Sequence, residues 1–289
     1  MLDRLFILGQ YVAPQLMVSR LAGKLADNEK MPALKNRVVK WFIGHYGVDM
    51  SEAVESDPEA YPSFNAFFTR ALKPGIREFE GGESVVTSPV DGAMSQLGQI
   101  RSDRVFQAKG QSFSLLELLG GDRRRADQFT EGEFATIYLA PRDYHRIHMP
   151  LAGTLREMVY VPGRLFSVNP MTAANVPNLF ARNERVVAIF DTEFGPMAMV
   201  MVGAMIVGSV ETRWAGIVAP GKREVSATSY DTETDPIRYK KGEEMGRFRL
   251  GSTVILVFPK DVAKWDPSMD AARNLRLGEA LGHCEKLSQ

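Results

Sequence analysis

The sequence predicts an α+β protein, with a mainly antiparallel β core preceded by amphipathic helices. Two observations carry this prediction. Apolar residues recur at helical spacing in the first 48 residues, whereas from about Val85 the chain consists of short β-rich runs separated by glycine. A chain of 289 residues that is 45% hydrophobic can bury a substantial core. We therefore expect a helical segment over residues 1–60 and a β-rich domain over residues 61–289.

Two sets of apolar residues predict two helices in the first segment: Val18, Leu21, Ala22 and Leu25, and then Leu34, Val38, Trp41 and Phe42. The pair Met31-Pro32 separates them, as expected for proline near a helix start. Residues 5–19 carry no charge, but they include Gly9, Gln10 and Pro14 and are fewer than the roughly 20 apolar residues that span a bilayer. The sequence therefore predicts no transmembrane helix here.

Charge is balanced over the whole chain, with 35 basic and 35 acidic residues, which argues against nucleic acid as a partner. Residues 1–48, however, contain seven basic and three acidic residues. A basic segment with Trp41 and Phe42 suits helices that lie on an anionic membrane surface. Helices that pack on their own protein fit the same pattern equally well. The single cysteine, Cys284, excludes an intrachain disulfide and favours a reducing compartment.

The β-rich part is predicted from runs of β-branched and aromatic residues at 134–139, 186–190, 197–207 and 253–258. The stretch 197–210 is apolar at successive positions and contains Gly203 and Gly208. It predicts a strand pair at the centre of the core, buried on both faces.

The step Gly251-Ser252 lies just before the last of these runs. A glycine and a serine before a strand usually form only a turn. Alternatively, the Ser252 hydroxyl attacks the carbonyl of Gly251 and converts the peptide bond to an ester, whose β-elimination and hydrolysis leave a pyruvoyl group. A serine hydroxyl is a weak nucleophile at neutral pH, so this scheme needs a nearby base.

Two of the four histidines, His145 and His148, fall in the segment from Pro141 to Pro150, which predicts an irregular loop that points both rings into one cavity. A metal pair lacks a convincing third ligand, since Asp143 is the only nearby carboxylate. Asp91 lies in an Asp-Gly step that commonly forms a turn. It could instead accept a proton from a histidine ring and leave the other nitrogen free to act on Ser252.

Together these segments resemble the bacterial type of phosphatidylserine decarboxylase. Its processing site is similar to Leu250-Gly-Ser-Thr253, its histidine motif to Tyr144-His-Arg-Ile-His-Met-Pro150 and its aspartate motif to Pro89-Val-Asp-Gly92. Further similarity runs through Phe64-Asn-Ala-Phe-Phe-Thr-Arg70, Leu165-Phe-Ser-Val-Asn-Pro170, Leu179-Phe-Ala-Arg-Asn-Glu-Arg185 and Val202-Gly-Ala-Met205. The resemblance covers about residues 60–262.

The resemblance implies that Asp91, His148 and Ser252 carry out self-cleavage between Gly251 and Ser252, after which residue 252 is the covalent pyruvoyl cofactor. His145 would serve decarboxylation of phosphatidylserine to phosphatidylethanolamine and carbon dioxide through a Schiff base, and no metal is implied. The two cleaved chains would stay associated, as a peripheral protein on the cytoplasmic face of the cell membrane. Whether two copies form a homodimer is left open.

Three other interpretations fit parts of the sequence. A pyruvoyl enzyme could act on a soluble amino acid, although the basic, tryptophan-bearing first segment argues against it. A serine hydrolase could use the same three side chains without cutting its own chain. A non-catalytic lipid-binding protein would keep Ser252 intact.

Overall fold

The computed structural model describes residues 10–11, 15–204, 209–231, 234–249 and 252–286. The described helices are α1 (Gln15–Ala26), α2 (Pro32–Tyr46), α3 (Phe64–Phe68), α4 (Leu115–Leu118), α5 (Arg123–Asp127), α6 (Pro170–Asn175) and α7 (Leu179–Arg182). The strands are β1 (Val85–Thr87), β2 (Gly92–Gln99), β3 (Arg104–Ala108), β4 (Gln111–Ser114), β5 (Glu133–Leu139), β6 (Arg146–His148), β7 (Gly153–Val161), β8 (Arg185–Thr192), β9 (Gly195–Val202), β10 (Val210–Thr212), β11 (Gly216–Ala219), β12 (Ser226–Ser229), β13 (Arg238–Tyr239), β14 (Glu244–Phe248), β15 (Ser252–Phe258), β16 (Ala263–Trp265), β17 (Asn274–Leu275) and β18 (Ala280–Cys284). The predicted α+β class is confirmed.

The two predicted N-terminal helices are present as α1 and α2. Pro32 lies in the first turn of α2, where its missing N–H costs no hydrogen bond. Gly47 ends the helix with φ +68°, a left-handed conformation that glycine adopts without strain, and its N–H donates to the Ile43 carbonyl at 2.9 Å. The break at Met31-Pro32 therefore falls where the sequence predicts it. Much of the uncharged run 5–19 lies outside the described residues.

One large antiparallel sheet forms the centre of the β-rich part, with strand order β12-β7-β8-β9-β15-β5-β2-β17 and β13 paired to β7. Smaller sheets have the orders β11-β10-β14-β6, β1-β18-β16 and β3-β4. Each predicted β run corresponds to a strand of the large sheet: β5, β8, β9 and β15. The proposed pair over 197–210 is only partly seen, because β9 ends at Val202, residues 205–208 lie outside the described part, and Val210 begins a strand of another sheet.

Both faces of the large sheet are buried, and strand alternation explains why its central strands are apolar throughout. On β9, Ala198, Val200 and Val202 belong to a core cluster that also contains Val39 and Phe42 of α2. Met197, Met199 and Met201 on the same strand belong to a second cluster on the opposite face. The helices thus cover one face, and the strands of the smaller sheets contribute to the other.

The helix α2 is buried on one face only. Phe42 packs against the rings of Phe64, Phe67 and Phe68 in α3, with centroid distances of 5.2 to 6.0 Å. The opposite face is exposed together with part of α1, and the large apolar side chains left in solvent there are Met17, Leu21, Leu25, Met31, Leu34, Val38 and Trp41. Of the eight apolar residues that define the predicted helices, five therefore lie on an exposed surface. We call this surface the exposed apolar face.

No helix in the described part of the chain has both the length and the apolar character needed to cross a bilayer.

Candidate active site

Ser252 is the first residue of β15, at the centre of the large sheet, and its side chain is completely buried. Its Oγ has no hydrogen-bond partner among the residues that the structure describes. A buried hydroxyl without a partner costs about 1–3 kcal/mol, so a serine that served only a turn would be exposed or hydrogen-bonded. Gly251, the other residue of the predicted cleavage site, lies outside the described residues. Ser252 is therefore a buried hydroxyl that is free of described hydrogen bonds.

His145 is likewise fully buried, and its ring packs on that of Phe68 with centroids 4.0 Å apart. Its Nδ1 lies 2.8 Å from the carbonyl oxygen of Asp143, and since a carbonyl only accepts, Nδ1 carries the proton. The Nε2 atom is therefore a free base, and it has no partner in the described part of the chain. Burial lowers the pKa of His145 to about 3, which keeps the ring neutral at physiological pH.

His148 has both ring nitrogens engaged. Nδ1 donates to the carbonyl of Gly242 at 2.8 Å, so Nε2 accepts from the Tyr144 hydroxyl at 3.1 Å. Burial lowers the pKa of His148 below its ordinary value and raises the pKa of the Tyr144 phenol. Both groups are consequently neutral, and the phenol is the hydrogen donor of the pair.

Asp91 is held by Arg77 in a two-point contact. The guanidinium Nε donates to Oδ1 at 2.9 Å and Nη2 donates to Oδ2 at 2.6 Å. The backbone N–H of Leu277 gives Asp91 a third hydrogen bond, at 2.7 Å. Arg77 also binds Glu52 at 2.7 Å, and these two carboxylates raise the pKa of the guanidinium against the effect of burial. Asp91 is thus an acceptor fixed by charge-assisted hydrogen bonds.

The fold brings the aspartate, histidine and serine segments together. The His148 N–H donates to the carbonyl of Pro89 at 2.9 Å, which joins the histidine segment to the residues just before Asp91. The Phe248 N–H donates to the His145 carbonyl at 2.9 Å, shortly before the chain reaches Ser252. Ser252 itself pairs with Leu139 on β5, just before the histidine segment.

The sheet register places Asp91 and Ser252 at the same end of the large sheet. Ala93, Tyr138 and Thr253 lie in one row across β2, β5 and β15. The residues that precede Ala93 and Thr253, Gly92 and Ser252, are therefore separated by about 10 Å, which is two strand spacings. A Cβ on Gly92 would lie 2.4 Å from the Tyr138 carbonyl oxygen, so β2 can approach β5 here only with glycine. The Asp-Gly step thus serves close strand packing at the start of β2.

Two details of the predicted geometry differ in the structure. The expected hydrogen bond between Asp91 and a histidine ring is absent among the described contacts, because both Nδ1 atoms donate to backbone carbonyls and Arg77 occupies the carboxylate. The histidine segment is also not wholly irregular. Arg146–His148 forms β6 and pairs with β14, so His145 lies before a strand and His148 at its end. The two rings are held by different backbone carbonyls, that of Asp143 for His145 and that of Gly242 for His148.

Sequence reasoning assigned no role to Tyr144, Arg77 or Phe68, which contact His148, Asp91 and His145 respectively. Tyr144 and Phe68 both lie inside motifs that the sequence singles out. For Tyr144, its position next to the histidines in the motif could have indicated its contact with His148. Arg77 lies in no such motif, and nothing near it in the sequence indicates its contact with Asp91.

Within the described ranges, no three histidine, cysteine, aspartate or glutamate side chains form a group that could hold a metal ion. The His145 and His148 rings, with Asp143 nearby, do not make such a group. Cys284 is buried, and burial raises the pKa of its thiol to about 12, which makes it an inert core residue.

A buried serine, two neutral histidines and a clamped aspartate in adjoining segments define a candidate enzyme active site. Comparison with known proteins agrees with this class. A family model described as phosphatidylserine decarboxylase matches residues 64–283, and one described as PSD matches residues 5–47. A protein from Marinobacter nauticus named phosphatidylserine decarboxylase proenzyme is 70% identical over 98% of this chain and 98% of its own.

Proteins with the same name from Stutzerimonas stutzeri and Ectopseudomonas mendocina are each 58% identical, over 98% and 99% of this chain and 95% and 100% of theirs. The chain belongs to the phosphatidylserine decarboxylase family, a family of decarboxylases, and the resemblance inferred from the motifs is confirmed.

Proposed function

We propose that the protein cuts its own chain between Gly251 and Ser252 and then decarboxylates phosphatidylserine to phosphatidylethanolamine and carbon dioxide. The observation that carries this proposal is the completely buried Ser252 hydroxyl, which lacks a partner among the described residues and directly follows Gly251 in the chain. The proenzyme names of the relatives agree with processing of this kind.

In the proposed self-cleavage, Ser252 Oγ attacks the Gly251 carbonyl carbon, and the peptide bond breaks as an ester forms and the serine nitrogen becomes an amine. Elimination then releases the Gly251 carboxylate and leaves dehydroalanine, which water converts to a pyruvoyl group and ammonia. We assign the base that removes the serine proton to His148 and its electrostatic support to Asp91. For His148 to act, its Nε2 must exchange the Tyr144 hydroxyl for the serine hydroxyl.

One observation favours the opposite assignment of the histidines. His145 already has an unprotonated Nε2 without a described partner, whereas His148 Nε2 is occupied by Tyr144. In that alternative His145 is the base for self-cleavage. The two assignments predict opposite phenotypes for the His145→Ala and His148→Ala variants.

A pyruvoyl group at residue 252 fits the site, because the side chain at this buried position makes no described hydrogen bond that its conversion would break. When present, the group supplies an electron sink for the bond between the substrate's α-carbon and its carboxylate. We propose that His145 transfers a proton to the product carbon. A substrate carboxylate near the ring would raise its pKa from the present low value and allow it to carry that proton.

We further propose that residues 1–60 bind an anionic membrane surface and that residues 61–289 form the catalytic part, cleaved into two chains that stay together. The exposed apolar face supports this, since solvent exposure of Trp41 at 58% and of Leu25 at 59% is the geometry of an interfacial helix. Strand pairing supports the association of the cleaved chains, because β15 lies between β5 and β9 and would remain in the sheet after cleavage. The same proposal includes location on the cytoplasmic face of the membrane. It does not decide whether two copies form a homodimer.

Intact mass measurement of purified protein, with an assay of phosphatidylserine turnover, tests this function. We expect two chains, residues 1–251 and 252–289, with the second lacking a free amino terminus. Ser252→Ala should remain whole and inactive. Thr136→Val is the matched control, because Thr136 is also buried with a partnerless hydroxyl among the described residues but lies outside the motifs, opposite Ile255 on the strand next to β15, and it should still be cut. An active, full-length wild-type chain would disprove the proposal and favour a hydrolase.

A further inference from the structure

Arg70 follows α3 and is buried, with only 4% of its surface exposed. Its Nη2 donates to the carbonyl of Arg142 at 3.2 Å, while its Nε has no partner among the described residues. No described carboxylate lies within ion-pair distance of it. Burial lowers the pKa of the guanidinium, against the opposing effect of Tyr61, Asp91, Asp143 and Glu52, none of which contacts it directly. A buried cation of this kind is costly unless an anion binds it, so Arg70 has the properties of a ligand-binding group.

Arg70 lines a cavity of about 250 Å³ that also contains Asp91, Gly92 and Tyr144. The cavity is therefore built from the same segments as the candidate active site. It reaches solvent beside Arg142, whose side chain is 59% exposed. Gly92 is about 10 Å, two strand spacings, from Ser252 along the row described above. The residues just before Arg70 contact the histidine segment, since the Phe68 ring packs on His145 with centroids 4.0 Å apart and Arg146 Nε donates to the Thr69 carbonyl at 2.9 Å.

The other arginines of this cavity already have carboxylate partners within the described structure. Arg77 binds Asp91 and Glu52, Arg276 binds Glu52, and Arg142 lies 3.9 Å from Asp143. Arg70 is the remaining guanidinium. It is buried, whereas Arg77 is half-buried and Arg142 and Arg276 are exposed. A ligand anion that enters the cavity would consequently find Arg70 as the one cavity guanidinium that no described carboxylate contacts directly.

We propose that Arg70 binds the phosphodiester of the phospholipid headgroup and so selects glycerophospholipid over free serine. This inference rests on the proposed function. The planar guanidinium matches phosphate oxygens at two points.

Of the two anionic groups of the substrate, the phosphate is the better partner for a fixed cation, because its charge persists through the reaction. The substrate carboxylate loses its charge as carbon dioxide leaves. A guanidinium bound to that carboxylate would therefore stabilise the ground state more than the transition state. In the substrate, only three single bonds of about 1.5 Å each separate the α-carbon of the serine headgroup from the phosphorus. With the reacting α-carbon near residue 252, the phosphate can therefore lie in the neighbouring cavity.

The test compares two short-chain lipids below their critical micelle concentrations, dihexanoyl phosphatidylserine and dihexanoyl phosphatidylethanolamine. The second has the phosphodiester and lacks the carboxylate. With processed enzyme, we expect Arg70→Gln to weaken binding of phosphatidylethanolamine about 10- to 100-fold, the effect of losing charge-assisted hydrogen bonds, as measured by calorimetric titration. KM for phosphatidylserine should rise by a similar factor, with kcat changed much less.

Arg142→Gln is the matched control, since it removes an arginine from the same cavity whose side chain is mostly exposed, and it should change either affinity less than about threefold. If Arg70→Gln does not fold, judged by loss of self-cleavage and of the melting transition, Arg70→Lys replaces it. Lysine cannot make the two-point contact, and we expect a loss of about three- to tenfold.

Three results would overturn the inference: wild-type affinity in the variant used, loss of phosphatidylserine affinity with unchanged phosphatidylethanolamine affinity, or a fall in kcat at constant KM. Each of these leaves the proposed function standing. Wild-type enzyme that neither cuts itself nor binds either lipid would instead disprove the proposed function itself.

Discussion

The guanidinium of Arg77 binds both carboxylate oxygens of Asp91, at 2.9 and 2.6 Å, and thereby occupies the acidic group that the aspartate motif contributes. Both side chains are largely buried. The carboxylate of Asp91 is therefore fixed in place by Arg77. If Asp91 supports self-cleavage as proposed, Arg77 is the residue that positions it.

Asp91→Asn should leave the chain largely uncut, because the amide has no charge with which to stabilise a protonated histidine. Arg77→Gln should slow self-cleavage as well and lower the free energy of unfolding by about 3 kcal/mol, since it leaves a buried carboxylate unpaired. Cleavage is followed on denaturing gels and stability by urea unfolding. Arg276→Gln is the control, because Arg276 shares Glu52 but its side chain is mostly exposed. Normal cleavage in both Asp91→Asn and Arg77→Gln would remove Asp91 from the processing mechanism.

The two histidines should separate self-cleavage from turnover. On our assignment His148→Ala stays mostly uncut, whereas His145→Ala is cut but decarboxylates poorly. Loss of a base of this kind can cost orders of magnitude in rate, so the difference will be visible on a gel. Tyr144→Phe should accelerate or leave unchanged the cleavage step, since it frees His148 Nε2. The reverse pattern, with His145→Ala uncut and His148→Ala cut, would show that His145 is the base for self-cleavage. The free Nε2 of His145 is the observation that favours this alternative.

The exposed apolar face should bind membranes through burial of its side chains. Replacing Leu25, Leu34 and Trp41 together by serine should abolish sedimentation with anionic vesicles, because each large side chain contributes about 1.5–3 kcal/mol on burial. Serine at Phe106 and Ile217, which are exposed elsewhere in the molecule, is the matched control. High salt should weaken binding of the wild type without full release. Complete release by salt alone would show that the contact is only electrostatic.

Deletion of residues 1–48 would be a less specific test of membrane binding than these substitutions. Val39 and Phe42 of α2 belong to the main core, so deletion would expose α3 and the face of the sheet that carries Phe68. Point substitutions on the exposed face avoid this, because they leave the buried face of α2 intact.

Protonation of His145 should couple stability to pH. Its pKa is about 3 in the folded chain and near 6.5 when unfolded, so below pH 6.5 the unfolded state binds the additional proton. The free energy of unfolding therefore falls as the pH decreases from about 6.5 towards 3. The slope for one such group approaches about 1.4 kcal/mol per pH unit. The uncut Ser252→Ala protein should show this slope, and adding His145→Gln should reduce it. An unchanged slope would mean that His145 is not held neutral by burial.

Much of the fold could be predicted from the sequence because it depends on local periodicity. The break at Met31-Pro32 follows from the backbone properties of proline, and the apolar runs that became β5, β8, β9 and β15 follow from strand alternation and burial on both faces. The sequence could not decide whether Leu34 and Trp41 face solvent or the core. That depended on which face of α2 the rings of α3 would cover.

For the candidate site, the sequence by itself determined which chemical groups are present: the hydroxyl of Ser252 after Gly251, the carboxylate of Asp91 and the imidazoles of His145 and His148. Only the tertiary structure decided how each is held. The carbonyl of Gly242 fixes the tautomer of His148, and Arg77 and the N–H of Leu277 hold Asp91. Gly242 and Leu277 come from distant parts of the chain, whereas Arg77 precedes Asp91 by 14 residues. In each case the hydrogen bond depends on the distance and direction between two atoms, which separation along the sequence does not specify.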